Sequence, residues 1–316
     1  MVVFATILSS NSASAQWKFK RQIKLINHGE KVNDAVLQIQ LSTNEFDYST
    51  VKTDGADIRF SLGENVSVSP LSYWIEEWNH EGLTSIWVKI PVLKAKEKIT
   101  LTMFYGNSSA FPVSSGERTF LFFDDFDSKE ISSKWTNVSI GQVQQENGVL
   151  KLKEDDGQDG MIIANFNLTG KMIVRTMYQR ENGDEHWTRA GIGGWNHFFC
   201  FGDHTDFAGT GTNYLMFYGA NSLSSLKTSP AVKTGNGIIN SKWRPTAFWY
   251  DGENLNGKQD EVTVKWSSNE EVSKLSLRTL DNDAWDNFAY VTVSPYTGSD
   301  LQVTVGKQEN VKIRKK

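Results

Sequence analysis

The stretch Leu37-Gln38-Ile39-Gln40-Leu41 alternates large aliphatic side chains with glutamine. Successive side chains of an extended chain point to opposite faces, so this stretch describes a ribbon with one dry face and one wet face. The same period of two returns at Ile99-Thr100-Leu101-Thr102-Met103, at Val262-Thr263-Val264-Lys265-Trp266, and at Leu301, Val303 and Val305. Between such runs lie the turn pairs Asp54-Gly55, Asn147-Gly148, Asp251-Gly252 and Asn256-Gly257, which suit hairpins and short loops. No helical run of ten or more residues stands out. The pattern predicts an all-β chain. Strands with one apolar face each must close by packing sheet on sheet, as β-sandwiches or jelly rolls.

The 316 residues make the chain about two domains long at ~150 residues each. Ser108 to Thr119 is small and polar, and the run Phe120-Leu121-Phe122-Phe123-Asp124-Asp125-Phe126 then opens a new apolar segment. This places two sandwiches in tandem, at 17–118 and 119–316. With 39% hydrophobic and 22% charged residues the chain is not disordered, and a net charge of -4 without a long basic stripe argues against nucleic acid as a partner. Residues 1–15 read as the end of a secretory signal, closed by the small triplet Ala13-Ser14-Ala15, which predicts a secreted or cell-surface protein; a polar N-terminal tag is the alternative. No stretch approaches 18 consecutive apolar residues, so no membrane span is expected. The single cysteine, Cys200, lies in the apolar run His197 to Phe201 and reads as an inert buried thiol.

The first domain carries Asp54-Gly55-Ala56-Asp57-Ile58-Arg59-Phe60, Leu71 to Asn79, Ile86-Trp87-Val88-Lys89-Ile90-Pro91 and Phe104-Tyr105-Gly106-Asn107, followed by Thr119-Phe120 and Phe123-Asp124-Asp125-Phe126. In this order the series resembles domain-of-unknown-function family 2341, found in exported proteins and often labelled MotA/TolQ/ExbB proton channel proteins. A channel of that kind needs membrane-spanning helices, which this sequence lacks. In that family the domain commonly precedes a concanavalin A-like lectin/glucanase (LamG-like) sandwich. The second domain is similar to one through Phe123-Asp124-Asp125-Phe126, Trp135, Arg189 to Gly193, Phe248 to Gly252 and a closing strand at Val311 to Arg314.

The glucanases of that group carry Glu-x-Asp-x-x-Glu, whose paired carboxylates lie about 5 Å apart in retaining enzymes. The nearest match, Glu154-Asp155-Asp156-Gly157-Gln158-Asp159, ends in Asp within a Gly-containing turn, and reads as a solvated hairpin tip. Glu181 to Trp187 collects carboxylates and a histidine, and reads as a polar loop, with an acid/base or metal cluster as the alternative. No zinc spacing and no serine elbow occur, so an enzyme is not the leading expectation. Calcium is a possible structural ion. Asp281, Asp283 and Asp286 place hard oxygens in one loop, and the resemblance adds Asp125; metal-free Asn/Asp turns are the alternative.

The main constellation is aromatic. Among 18 Phe, 11 Trp and 9 Tyr, many rings fall between residues 187 and 290, and neighbours such as Trp249 and Tyr250 must point to opposite faces. Some rings therefore look outward, where they would stack on the apolar face of a sugar. Trp187, Trp195, His197, Trp249 and Trp285 are the candidate ligand residues. The sequence thus predicts non-catalytic binding of a polysaccharide or glycan, or surface adhesion. Two alternatives are a self-associating subunit of a surface layer or filament, and a hydrolase or lyase with an unrecognised site. The segment Tyr73 to His80 would either line a groove or form an aromatic strand pair.

Overall fold

The computed structural model describes residues 17–138, 141–155, 159–181, 188–194, 197–203, 212–219, 227–228, 232–236, 242–267, 272–280 and 284–311. Among the described residues the strands pair antiparallel in four sheets. The first runs, in spatial order, Leu301–Asn310, Phe19–Asn27, Lys98–Tyr105, Arg59–Leu62 and Pro70–Leu71. The second comprises Val32–Ser42, Leu83–Leu93 and Tyr73–Glu77. These two enclose a core that includes Ile23, Leu25, Ile39, Ile86, Val88 and Leu101. The alternation of the sequence is its direct cause: Leu37, Ile39 and Leu41 are buried, and Gln38 and Gln40 are exposed.

The third sheet is ordered Gln142–Glu146, Val149–Lys153, Asp286–Pro295, Met172–Arg180, Arg244–Tyr250, Asn254–Gln259 and Val262–Ser267, with Phe122–Asp124 also pairing with Asp286–Pro295. The fourth is ordered Lys227–Thr228, Thr212–Gly219, His197–Asp203, Thr188–Gly194, Lys274–Leu280, Met161–Asn167 and Trp135–Asn137, with Val232–Asn236 pairing with Thr212–Gly219. Their shared core includes Leu150, Ile162, Val174, Phe217, Phe248 and Phe288. The chain is therefore all-β and built of sandwiches.

The last strand departs from a division of the chain at residue 118. Leu301–Asn310 pairs with Phe19–Asn27, Leu301 facing Asn27 and Asn310 facing Phe19. The physical reason is apolar complementarity, since Leu301, Val303 and Val305 pack on the first core and not the second. Val311 continues the pairing through its N–H to the Lys18 carbonyl at 2.9 Å. Residues 312–314 of the expected closing strand, and residues 1–15, lie outside the described residues.

The two sandwiches meet face to face, the second sheet against the third. Val36, Trp87, Phe120 and Phe123 form a small core of their own there, with Trp74 packed against it. Across this seam the Arg175 guanidinium sits 4.6 Å from the Trp87 ring centroid and donates to Ser294 Oγ at 3.1 Å. Trp74 meets Tyr290 edge-on at 5.2 Å. Glu76 gathers the polar groups: its Oε2 accepts from Ser85 Oγ and Trp87 Nε1, both at 2.8 Å, and its Oε1 accepts from the Tyr290 hydroxyl. Four sheets are thus stacked in one pile. Within Tyr73 to His80 the strand reading holds for Tyr73–Glu77, whereas His80 lines a surface groove with Tyr48 and Phe46: Trp74 fills the seam, while the Tyr73 hydroxyl donates to the Ile58 carbonyl at 2.5 Å.

Candidate functional site

At one end the seam opens into a cleft of about 510 Å³. One wall is the turn between Phe19–Asn27 and Val32–Ser42; the other is Lys171, Asp251 and the crossover Pro295 to Asp300, by which the chain leaves the third sheet for the first. The turn is held by Asn27. Its Nδ2 donates to the carbonyls of Glu30 at 2.7 Å and Lys94 at 2.8 Å, and its Oδ1 accepts from Gly29 N–H at 2.9 Å. This leaves Glu30, Lys31 and Asn33 exposed along the cleft. Gly29 permits the closure: a Cβ there would lie 2.1 Å from Asp300 Oδ2.

Tyr296 is the ring of the site. Its N–H donates to the Lys171 carbonyl at 2.8 Å, and its phenol stacks on Trp249 with centroids 5.6 Å apart and planes inclined by 23°. Trp249 is placed by register, opposite Ile173 on one side and Asn256 on the other. Phe248 and Tyr250 turn the other way, toward the second core, as pleat alternation requires. Gly298, at φ 59°, lies beside the phenol; a Cβ there would sit 3.6 Å from Cε1, Cζ and the hydroxyl oxygen of Tyr296.

Asp251 is held on the same wall. Its Oδ1 accepts from the N–H groups of Glu253 at 2.9 Å and Asn254 at 2.8 Å, and its Oδ2 accepts from Asn256 Nδ2 at 2.9 Å. Burial pushes its pKa upward, but these hydrogen bonds outweigh it and hold the carboxyl below its ordinary value. Burial raises the Tyr296 phenol, against a hydrogen bond with Trp249 that lowers it. The cleft therefore offers an aromatic edge and face together with amide, carboxylate, hydroxyl and ammonium groups, a combination suited to a polar ligand with one apolar face.

The sequence candidates separate on the structure. Trp249 lies beside the cleft. Trp285 is half-buried at the far end of the same sheet, its carbonyl accepting from Glu181 N–H at 2.9 Å. Along Met172–Arg180, Met172 faces Pro295 and Arg180 faces Asp286, so the two tryptophans are separated by most of a nine-residue strand, roughly 25 Å. They do not share a site. Trp187, Trp195, Asp281 and Asp283 lie outside the described residues, and of His197 only the backbone is described, opposite Gly219. Asp286 is fully buried and accepts from the Tyr178 hydroxyl at 2.7 Å and Thr279 Oγ1 at 2.6 Å, so its oxygens serve the second core. Asp125 is half-buried; burial first, then the charges of Asp127 and Asp124, raise its pKa. Among the described residues no three His, Cys, Asp or Glu side chains converge as a metal centre.

Neither acidic motif forms a described catalytic pair. Asp155 accepts from Gln142 at 3.5 Å with Asp156 outside the described residues, and Glu181 is paired with Lys151 at 2.9 Å. Tyr296, Lys171, Asn33 and Asp300 were not visible as site residues in the sequence. Tyr296 follows an apolar strand as an aromatic in a Pro-Tyr-Thr-Gly turn, which was a usable signal; the other three depend on the crossover.

Residues 54–138 match the family described as Domain of unknown function (DUF2341). No curated protein matches the sequence. Among solved structures the chain is similar to a prokaryotic β-1,3-1,4-glucanase (lichenase) from a mouse hindgut metagenome, at 10% identity and TM-score 0.41 over 55% of this chain and 99% of that one. It is also similar to the carbohydrate binding module CBM66 from Bacillus subtilis, at 13% identity and TM-score 0.39 over 51% and 95%. A third is an endo-β-1,3-glucanase from Pyrococcus furiosus, at 12% identity and TM-score 0.42 over 57% and 95%. Function has to be argued from the site. Among the described residues no helix is long and apolar enough to cross a membrane.

Proposed function

We propose that this protein is a non-catalytic glycan-binding module of the cell exterior, with its site in the cleft at the seam. The observation that carries the reading is the Tyr296–Trp249 stack beside a cleft rimmed by Asp251, Asn33, Lys31 and Asp300. A pyranose ring has an apolar C–H face and a girdle of hydroxyls. The phenol of Tyr296 would take the first, while carboxylates, amides and ammonium groups take the second. A half-buried tryptophan behind the phenol fixes its rotamer, so little side-chain entropy is lost on binding.

The test is affinity against a panel of soluble β-glucan, xylan, mannan and pectin oligosaccharides. At least one should bind, and Tyr296→Ala should weaken it by 10-fold or more, as expected for the loss of one stacked ring of about 1.5 kcal/mol. Trp249→Ala should weaken it several-fold, while Trp285→Ala leaves it unchanged. Binding that survives both Tyr296→Ala and Trp249→Ala would remove the cleft from the account. Released reducing sugar would replace the non-catalytic reading with a hydrolase. Calcium at Asp125 belongs to the same proposal, since a divalent cation would offset the repulsion from Asp127. A higher unfolding temperature with added calcium supports it, and no change discards the ion.

The second reading is a self-associating surface subunit. It is favoured by Leu301–Asn310, a ten-residue strand at the edge of the first sheet. An edge of this kind offers backbone groups to another strand. Concentration-dependent growth in size-exclusion chromatography would favour this reading, and a constant monomer the glycan-binding one.

A further inference from the structure

The cleft exists only while the two sandwiches keep one relative placement, because its walls come from both. Of the groups at the seam, Val36 and Tyr290 lie on strands that lead to the walls, and Arg175 lies on the strand that follows Lys171. Asn33 is three residues before Val36 on Val32–Ser42, and Tyr296 is six residues after Tyr290 on and just beyond Asp286–Pro295. At about 3.3 Å per residue these are distances of about 10 and 20 Å, short enough for a small rotation at the seam to move the rims against each other.

We propose that Glu76, Tyr290 and Arg175 are positioning residues for ligand binding in the cleft, holding the first unit's turn at Glu30 to Asn33 in place against Tyr296; this rests on reading the cleft as a glycan site. Apolar contacts such as Trp74 against Phe123 give the seam its adhesion but tolerate sliding. Directed groups do not. Glu76 uses one carboxylate oxygen on Ser85 and Trp87 of its own sheet and the other on the Tyr290 hydroxyl across the seam, so it ties one sheet to the other in a single register. Arg175 fills the adjoining space between Trp87 and Ser294. None of the three lines the cleft. Their influence on a ligand would pass entirely through the placement of the two units.

The experiment measures two quantities on the full chain. Spin labels at Lys98→Cys and Lys265→Cys, in a Cys200→Ser background, report the distance between the first and third sheets. The affinity for the best-binding oligosaccharide of the panel above reports the cleft. In the labelled protein with the wild-type seam the distance distribution should be narrow. Tyr290→Phe and the double variant Tyr290→Phe/Glu76→Gln should broaden it and weaken binding by 5-fold or more, while the far-ultraviolet circular dichroism is unchanged. Arg175→Lys, which keeps the charge, should lie between these and the wild type. Broadened distances with unchanged affinity, or unchanged distances, would overturn the positioning role. In that event Tyr296→Ala still weakens binding by 10-fold or more if the cleft reading is right, whereas loss of that effect marks failure of the reading itself and takes the positioning role with it.

Discussion

Asp286 shows how one residue type serves opposite expectations. Beside Asp281 and Asp283 in an Asn/Asp-rich loop it suggests a cation ligand, yet its side chain is turned into the second core and accepts from Tyr178 and Thr279. Sequence spacing reports which groups are near one another along the chain, and not which way a strand's pleat sends them. Replacing Asp286 by Ala removes an acceptor from two buried hydroxyls. The expected loss is about 2–4 kcal/mol of stability, read from the denaturant midpoint, and glycan affinity should be unaffected in the folded fraction. A variant as stable as the wild type would show that Asp286 does not act as a core acceptor. Trp249 is the contrasting case. That Trp249 and Tyr250 point to opposite faces was legible from pleat alternation, but which of them faces the core was not, and neither was the partner Tyr296, because nothing in a linear pattern says that the residue after Pro295 folds back over Lys171.

At the scale of elements, Leu301–Asn310 carries the main lesson. Its period of two was plain in Leu301, Val303 and Val305, so the strand itself was expected; its partner was not. Alternation gives a strand and a buried face but leaves open which sheet it joins, and here the chain closes the sheet that it began. A chain ended after Asp300 would leave Phe19–Asn27 as an unpaired edge and expose the contacts of three apolar side chains with the first core. Such a truncation is expected to lower the unfolding temperature by at least several degrees, on about 1 kcal/mol or more of lost burial per side chain, and to speed proteolysis within Phe19–Asn27. An unchanged midpoint would contradict the assignment of the last strand to the first sandwich. Dividing the chain at residue 118 would for the same reason yield an incomplete first unit.

For the whole molecule, the stack of four sheets ties alkaline stability to its tyrosines. Burial, as the largest cause, raises the phenols of Tyr73, Tyr105, Tyr290 and Tyr296 above 10.0, with Glu76 raising Tyr290 further. A raised folded pKa means that the stability from these groups is complete below the unfolded value of 10.0 and falls as pH rises beyond it. Arg175, lowered to about 10 chiefly by burial, acts in the opposite sense above that value, so the four phenols are partly offset. The net expectation is a decline in unfolding temperature beginning above pH 10, with the phenolate absorbance of these residues emerging together with unfolding. Phenolates that titrate fully in the folded protein near pH 10 would contradict it. The sandwiches and their approximate number were legible in the sequence, because alternation and turn pairs act locally. The cleft was not, since it arises where a seam between two faces meets a crossover, and both are properties of the assembled chain.

The central claim is that a sugar rests on Tyr296 in the cleft at the seam, and a crystal structure of the full chain with its best-binding oligosaccharide tests it most directly. The account predicts a pyranose ring in contact with Tyr296 and hydroxyls within hydrogen-bond distance of Asp251, Asn33 or Asp300. A sugar bound elsewhere, with the cleft empty, would contradict it.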